Sequence, residues 1–267
     1  MDAPHHNARL TDVIGAIPYR MALAGGWIDQ PFVSRLNPEP PGSMVVVALE
    51  PICMFMERCG MGTSTRKVAM RKWGEQLPDQ DPAQLVRELY DAENHGVAEP
   101  SGSQDMAGII YPGVNRLDYD YACEGGYFPT HVESNNDPDI ARWLENVIHL
   151  IPIAPRPDGY GPLGEKHLDA EWIRRLSQSG KDCFNAILSQ DAGALGASMN
   201  ESMLCWEALL PHTVRHHTLK VDLMPFLHYY QARYAGAMYS GCGGGYLYVV
   251  AEEPVPGSIR VKVRFKE

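Results

Sequence analysis

Tyr239–Val250 reads YSGCGGGYLYVV, with four glycines in the five positions from Gly241 to Gly245 and an aromatic and aliphatic run directly after them. Glycine loses more backbone entropy on folding than any other residue. A cluster of glycines against a strand therefore implies a tight turn, or something that comes very close to the backbone. YLYVV is the predicted strand. A PVPG turn (254–257) follows, then a last strand in which Arg260, Lys262 and Arg264 alternate with Ile259, Val261, Val263 and Phe265. That alternation marks one solvated and one buried face.

Upstream of the glycines the chain reads as helix. Residues 168–191, 192–210 and 221–239 carry apolar side chains at helical spacing, and Pro225 is tolerated in the first turn of the third segment. Residues 139–147 (DIARWLENV) predict a short helix and 148–153 (IHLIPI) a strand. Nearer the N-terminus, residues 79–96 form a well-marked helix: Asp81 caps it, Pro82 takes the first helical position and Gly96 lies just past its end. MVVVALE (44–50) predicts a strand after the proline-rich loop NPEPPGS (37–43). Helices and strands alternate irregularly, which predicts an α+β protein rather than a doubly wound sheet. A boundary is expected between Asp120 and Asn136.

The chain has 267 residues, 45% hydrophobic and 21% charged, enough for one large core or two modest ones. No run of 18 apolar residues occurs, and MDAPHHNARL lacks the pattern of a signal peptide. Six cysteines without a CxxC pair do not make a disulfide framework, so a reduced, cytoplasmic enzyme is expected. A net charge of −10 with scattered basic residues argues against a nucleic-acid partner. His212, His216 and His217 cluster without the spacing of a zinc site. Cys183 and Cys205 read as core, and Cys242 as a small filler rather than a nucleophile.

Four segments carry candidate chemistry. In PYRMALAGGWIDQP (18–31) an apolar run reaches Gly25 and Gly26, and Arg20 and Asp29 have side chains suited to hydroxyl groups; a plain strand and turn reads equally from the residues. In CGMGTSTRKVAMRKW (59–73) glycines and hydroxyl residues enter a helix, whose free N–H groups favour an anion. Thr63 or Ser64 could instead simply cap that helix. Glu93 falls on the apolar stripe of its helix with Leu85, Val86 and Leu89, where a carboxylate needs a partner or a metal unless the last turn frays into solvent. Asp105, in PSGSQDMAG (100–108), could polarise a substrate hydroxyl or cap a helix.

As an ordered set these pieces resemble the GHMP small-molecule kinases. RMALAGGWID looks like the first motif of that superfamily, in the form found in fucokinases and heptose-7-phosphate kinases. CGMGTSTRKVA resembles the phosphate loop GLGSSAA, YSGCGGGYLYVV the glycine-rich third motif, and AENHGVAEPSGSQD the galactokinase-type segment with a magnesium Glu and a catalytic Asp. The resemblance implies an N-terminal domain (1–130) like the second domain of ribosomal protein S5 and a ferredoxin-like C-terminal domain (131–267), with the cleft between them. It implies that Gly60, Gly62, Thr63, Ser64 and Thr65 cradle the phosphates of ATP, that Ser64 and Glu93 hold Mg²⁺, and that Asp105 orients or deprotonates the acceptor hydroxyl. Arg20, Gly25, Gly26 and Asp29 would meet the sugar, with Gly243 and Gly244 behind it. The activity implied is Mg²⁺-dependent phosphorylation of a sugar, sugar phosphate or cyclitol, and a homodimer is compatible with the family.

The likeness has gaps. Only 30 residues separate Asp29 from Gly60, a shorter interval than is usual in the family, and Glu57, Arg58 and Cys59 stand where a proline normally precedes the phosphate loop. Arg66 and Lys67 after the loop offer additional phosphate contacts. The alternative is a non-catalytic or redirected homologue that binds a sugar-like ligand or a partner and has lost its nucleotide site.

Overall fold

Met44–Leu49 is an unbroken apolar run, and a strand of that kind must be covered on both faces. It lies at the centre of the first sheet. The computed structural model describes residues 10–161, 164–215 and 221–265; His216 and His217 lie outside the described residues. In chain order the elements begin with α1 (Leu10–Ile14), β1 (Tyr19–Ala22), α2 (Pro31–Ser34), β2 (Gly42–Leu49), α3 (Thr63–Trp73), α4 (Pro82–Asn94), α5 (Gln104–Ile110), β3 (Val114–Tyr119) and β4 (His131–Asn135). They continue with α6 (Pro138–Val147), β5 (Ile148–Ala154), α7 (Ala170–Leu188), α8 (Ala192–Leu209), α9 (Leu223–Gln231), β6 (Gly236–Gly241) and β7 (Gly244–Val250).

β1 to β4 form an antiparallel sheet in sequence order, with every residue of β2 buried. Tyr19 pairs with Leu49 on one side of β2, and Gly42 with Tyr119 on the other. β4 completes this sheet, so the change of sheet falls after Asn135. The second sheet is also antiparallel, in the order β5–β7–β6, and the central β7 is wholly buried. α7 packs on β2 and β3 and lies beside α8, which in turn covers β6. One continuous hydrophobic core draws on both sheets, from Met21 and Val46 to Leu150 and Leu247.

The helices expected over 79–96, 168–191 and 192–210 are realised closely, but the one expected over 221–239 ends at Gln231, and from Gly236 the chain is strand β6, paired along β7. Asp81 accepts from the Gln84 N–H at 2.9 Å and Pro82 opens α4, as the sequence predicts. The expected last strand differs. It makes single bridges, Ile259 to Leu150 of the second sheet and Val263 to Leu49 of the first. Val261 and Val263 are buried and Arg260 and Lys262 exposed, so the alternation is real. The segment ties the two sheets together instead of extending either. All six cysteines are free, and Cys183 and Cys205 are buried. No helix among the described residues is long and apolar enough to cross a membrane.

Candidate active site

The glycine cluster meets the segment expected to be the phosphate loop backbone to backbone. β6 and β7 form a hairpin across Gly241 and Gly244. A Cβ on Gly245 would stand 2.3 Å from the Cys59 carbonyl oxygen, and one on Gly60 2.3 Å from that of Ser240. Any side chain at either position drives the segments apart. The hairpin is thus both turn and close approach, and the approach fixes the loop that precedes α3.

At the start of α3 the Ncap is Gly62, with φ near 69°, and no side chain caps the helix. The alternative in which Thr63 or Ser64 caps it is therefore not realised. The Thr63 hydroxyl instead accepts from the Arg58 N–H at 3.2 Å. The first N–H groups of this 11-residue helix keep their capacity for an anion. Arg66 does not contribute, because its guanidinium donates into the carbonyls of Ile14, Gly15 and Ile17. Lys67 pairs with Glu57 at 2.5 Å.

Arg20, on β1, joins this loop to Asp105 in the first turn of α5. Its Nη1 donates to the Gly60 carbonyl at 2.6 Å, while Nε at 2.8 Å and Nη2 both reach Asp105 Oδ1. Among the described residues, the hydrogen-bond partner of Asp105 Oδ2 is the Thr65 hydroxyl, at 3.5 Å. Beside Thr65 lies Glu93, whose Oε2 is buried with no hydrogen-bond partner among the described residues. Burial, reinforced by the Asp105 charge, pushes Glu93 up to about 7. Ser64, expected to share a cation with Glu93, is exposed, and the hydroxyl next to the carboxylates is that of Thr65.

A cavity of about 300 Å³ opens onto Arg20 and Asp105. Arg20, Ala22, Gly26, Trp27 and Gln30 line it from the first motif, and Gly60 from the phosphate loop. Glu99, Pro100, Ser101, Gln104 and Asp105 come from the approach to α5, and Arg156, Trp206, Ser240, Gly241 and Cys242 from the C-terminal half. Trp206 donates its indole N–H to the Gly26 carbonyl at 3.2 Å, which sets its ring against the cavity. Solved structures with a similar fold include D-glycero-D-manno-heptose 1-phosphate kinase from Bacteroides thetaiotaomicron, 13% identical over 93% of this chain and 94% of the other, with a TM-score of 0.55. Galactokinase from Lactococcus lactis, solved with galactose, is 11% identical over 94% and 93% (TM-score 0.58). Mevalonate kinase from Methanococcus jannaschii is 11% identical over 88% and 89% (TM-score 0.52). The chain has the GHMP kinase fold. No protein-family model and no curated protein sequence matches it.

Within the GHMP fold the expected residues separate into two groups. Arg20, Gly60, Thr65, Glu93 and Asp105 come together, and Gly26 lines the cavity. Asp29, expected at the sugar, has no exposed surface; it lies behind Gln104, 3.4 Å from both its backbone and side-chain nitrogens. A Cβ on Gly102 would collide with the Asp29 carboxylate, which explains the glycine there. Gly25 packs on Ser43 and Met44 rather than on the cavity. Gly243 and Gly244 face Tyr160, Arg156 and Leu223, and Gly241 and Cys242 line the cavity in their place. Burial pushes the Cys242 thiol up to about 12, which suits a filler. Trp27 and Gln104 stand within the motifs without a residue type that marks them as site residues, and Arg156 and Trp206 lie in no motif, so none of the four was legible as a site residue.

Asp29, like Glu93, is pushed up to about 7, first by burial and then by the Asp105 charge. Both carboxyls hold their protons more tightly folded than unfolded. The stability this contributes is complete below their ordinary values, 3.8 and 4.5, and is lost as pH rises to about 7. Thermal unfolding followed from about pH 5 to about pH 8 is expected to show a falling midpoint. Asp29→Asn and Glu93→Gln together should flatten that fall. An unchanged slope in the double variant would show that other groups set it.

Proposed function

We propose that the protein is a kinase that transfers the γ-phosphoryl group of ATP to a hydroxyl of a sugar, sugar phosphate or cyclitol. The observation that carries this reading is the Arg20 bridge. A single guanidinium binds both the carbonyl of Gly60 in the phosphate loop and the carboxylate of Asp105, on the wall of one cavity. Phosphoryl transfer needs positioning and charge neutralisation more than covalent help from the protein. Arg20 holds Asp105 so that Oδ2 can accept the proton of a hydroxyl in the cavity. The uncapped start of α3 offers N–H groups to the donor phosphates.

The donor set suits Mg²⁺: the orphaned carboxylate oxygen of Glu93 beside the Thr65 hydroxyl is a hard-oxygen site of the kind this cation shares with phosphates. When bound, Mg²⁺ would neutralise charge on the phosphate oxygens. Glu93 and Thr65 would hold it, and they orient its ligand oxygens from α4 and α3. Trp27 and Trp206 support this acceptor class, since they line the cavity beside the polar Gln30, Gln104 and Asp105, a mix of apolar and polar lining that suits a carbohydrate.

A thermal-shift screen tests this reading with ATP, GTP and CTP plus Mg²⁺, each crossed with monosaccharides, sugar phosphates and inositols. Saturation about a hundredfold above Kd stabilises by about 2.7 kcal/mol. A nucleotide shift enlarged by one sugar class is the expected result. Sugar shifts with every nucleotide silent would overturn the kinase reading and leave a carbohydrate-binding protein.

A further inference from the structure

Arg156 stands on the cavity wall, on the segment that follows β5. Its backbone N–H and its Nε both donate to the Arg58 carbonyl, at 3.2 and 3.0 Å. The Tyr160 ring lies 6.0 Å from the guanidinium carbon, and Gly243 leaves room for the stem, since a Cβ there would be 3.3 Å from Arg156 Cγ. The side chain is therefore anchored at Nε, and its two terminal nitrogens have no partner among the described residues.

Among the described residues, the cations of β1, of the loop before α3 and of the start of α3 are engaged. Arg20 is committed to Asp105 and Gly60, Arg66 to backbone carbonyls, Lys67 to Glu57, and Arg58 to Asp158 and the Pro157 carbonyl. Gly60, Asp105 and Arg156 share the cavity wall, so among the described residues Arg156 is the uncommitted guanidinium that lines it for an anion resting on Gly60 beside Asp105. A half-buried, pre-positioned fork of donors matches the oxygens of a phosphoryl group better than a single hydroxyl.

We propose that Arg156 is a catalytic residue that donates to the oxygens of the phosphoryl group while it is transferred. This rests on the kinase reading. The acceptor oxygen forms its bond to the γ-phosphorus as the bond to the β,γ-bridging oxygen breaks. The hydroxyl proton passes to Asp105, and ADP leaves with the bonding electron pair on the bridging oxygen. Arg156 offsets charge on the non-bridging oxygens of the γ-phosphoryl group, a group that ADP lacks.

The test is calorimetric titration of the full chain, wild type and Arg156→Ala, with Mg²⁺ and either ADP or the non-hydrolysable analogue AMP-PNP. Arg156→Ala is expected to weaken AMP-PNP by about tenfold or more and to leave ADP within about twofold. Turnover with the acceptor found in the screen should fall about 10³-fold. Arg156→Lys keeps the charge without the fork and should fall between; it carries the test if the alanine variant does not fold. Equal binding of AMP-PNP by wild type and variants overturns the assignment alone. A loss confined to a phosphorylated acceptor also overturns it and moves Arg156 to substrate recognition. Failure of the wild type to bind either nucleotide removes the kinase reading and this inference with it.

Discussion

Asp105→Asn is expected to lower phosphoryl transfer by about 10²–10⁴-fold while the protein still folds. Asparagine retains an oxygen where Arg20 donates, so the link from β1 through Arg20 to α5 survives in weakened form. What disappears is the acceptor at Oδ2, which has the distant Thr65 hydroxyl as its partner among the described residues and is the atom proposed to receive a proton. Asparagine presents an amide nitrogen there and cannot take one. Arg20 is 6% exposed and would lose its counter-charge. Breaking a fully buried pair costs about 3–5 kcal/mol. Asp105 is itself partly solvated and both Arg20 hydrogen bonds to the retained oxygen survive without the charge, so a loss of about 2 kcal/mol is expected. Circular dichroism, a melting curve and initial rates with the screened acceptor separate the two effects. Near-normal turnover in a folded variant would remove Asp105 from the proton path.

The parts of this site legible in the sequence are those in which a local constraint leaves a local mark. Gly60 and Gly245 are glycines because two backbones touch there, so each writes itself into its own segment. Asp81 and Pro82 mark the start of α4 for the same reason. The orientation of side chains between segments leaves no such mark. Asp29 looks like a ligand beside Gly25 and Gly26, and only the collision it would make with a side chain at Gly102 shows that it is turned inward behind Gln104. Ser64 and Thr65 are adjacent hydroxyls; the rotation of α3 decides that Thr65 faces the carboxylates and Ser64 faces solvent. Arg66 and Lys67 read as phosphate contacts until the carbonyls of the segment after α1 and the Glu57 carboxylate claim them. Arg156 carried one weak signal, an arginine between prolines just after a strand. The alternation of Ile259–Phe265 gave the buried face correctly but not the pairing, because the segment's partners come from two sheets far apart in sequence.

Gly60→Ala should damage fold and site together. Gly60 has φ near 76°, where an L side chain is strained by about 1–3 kcal/mol. Its Cβ would also stand 2.3 Å from the Ser240 carbonyl oxygen and 2.7 Å from the Gly241 nitrogen, both backbone atoms that cannot rotate away. Gly74, at the end of α3, supplies the control: its φ is near 80°, yet a Cβ there meets nothing within 4 Å. Gly74→Ala therefore reports strain alone. The expected destabilisation is about 1 kcal/mol for Gly74→Ala and at least about 3 kcal/mol for Gly60→Ala, a melting-temperature difference of about 4–8 °C in a chain of this size. Separation of the hairpin from the phosphate loop would also move the Gly60 carbonyl away from Arg20 and loosen Asp105. Phosphoryl transfer should then fall in Gly60→Ala even at temperatures where the variant is fully folded, and stay near wild type in Gly74→Ala. Equal stability losses in the two variants would mean that the contact between the two glycine segments is loose enough to yield, and that the hairpin does not fix the loop.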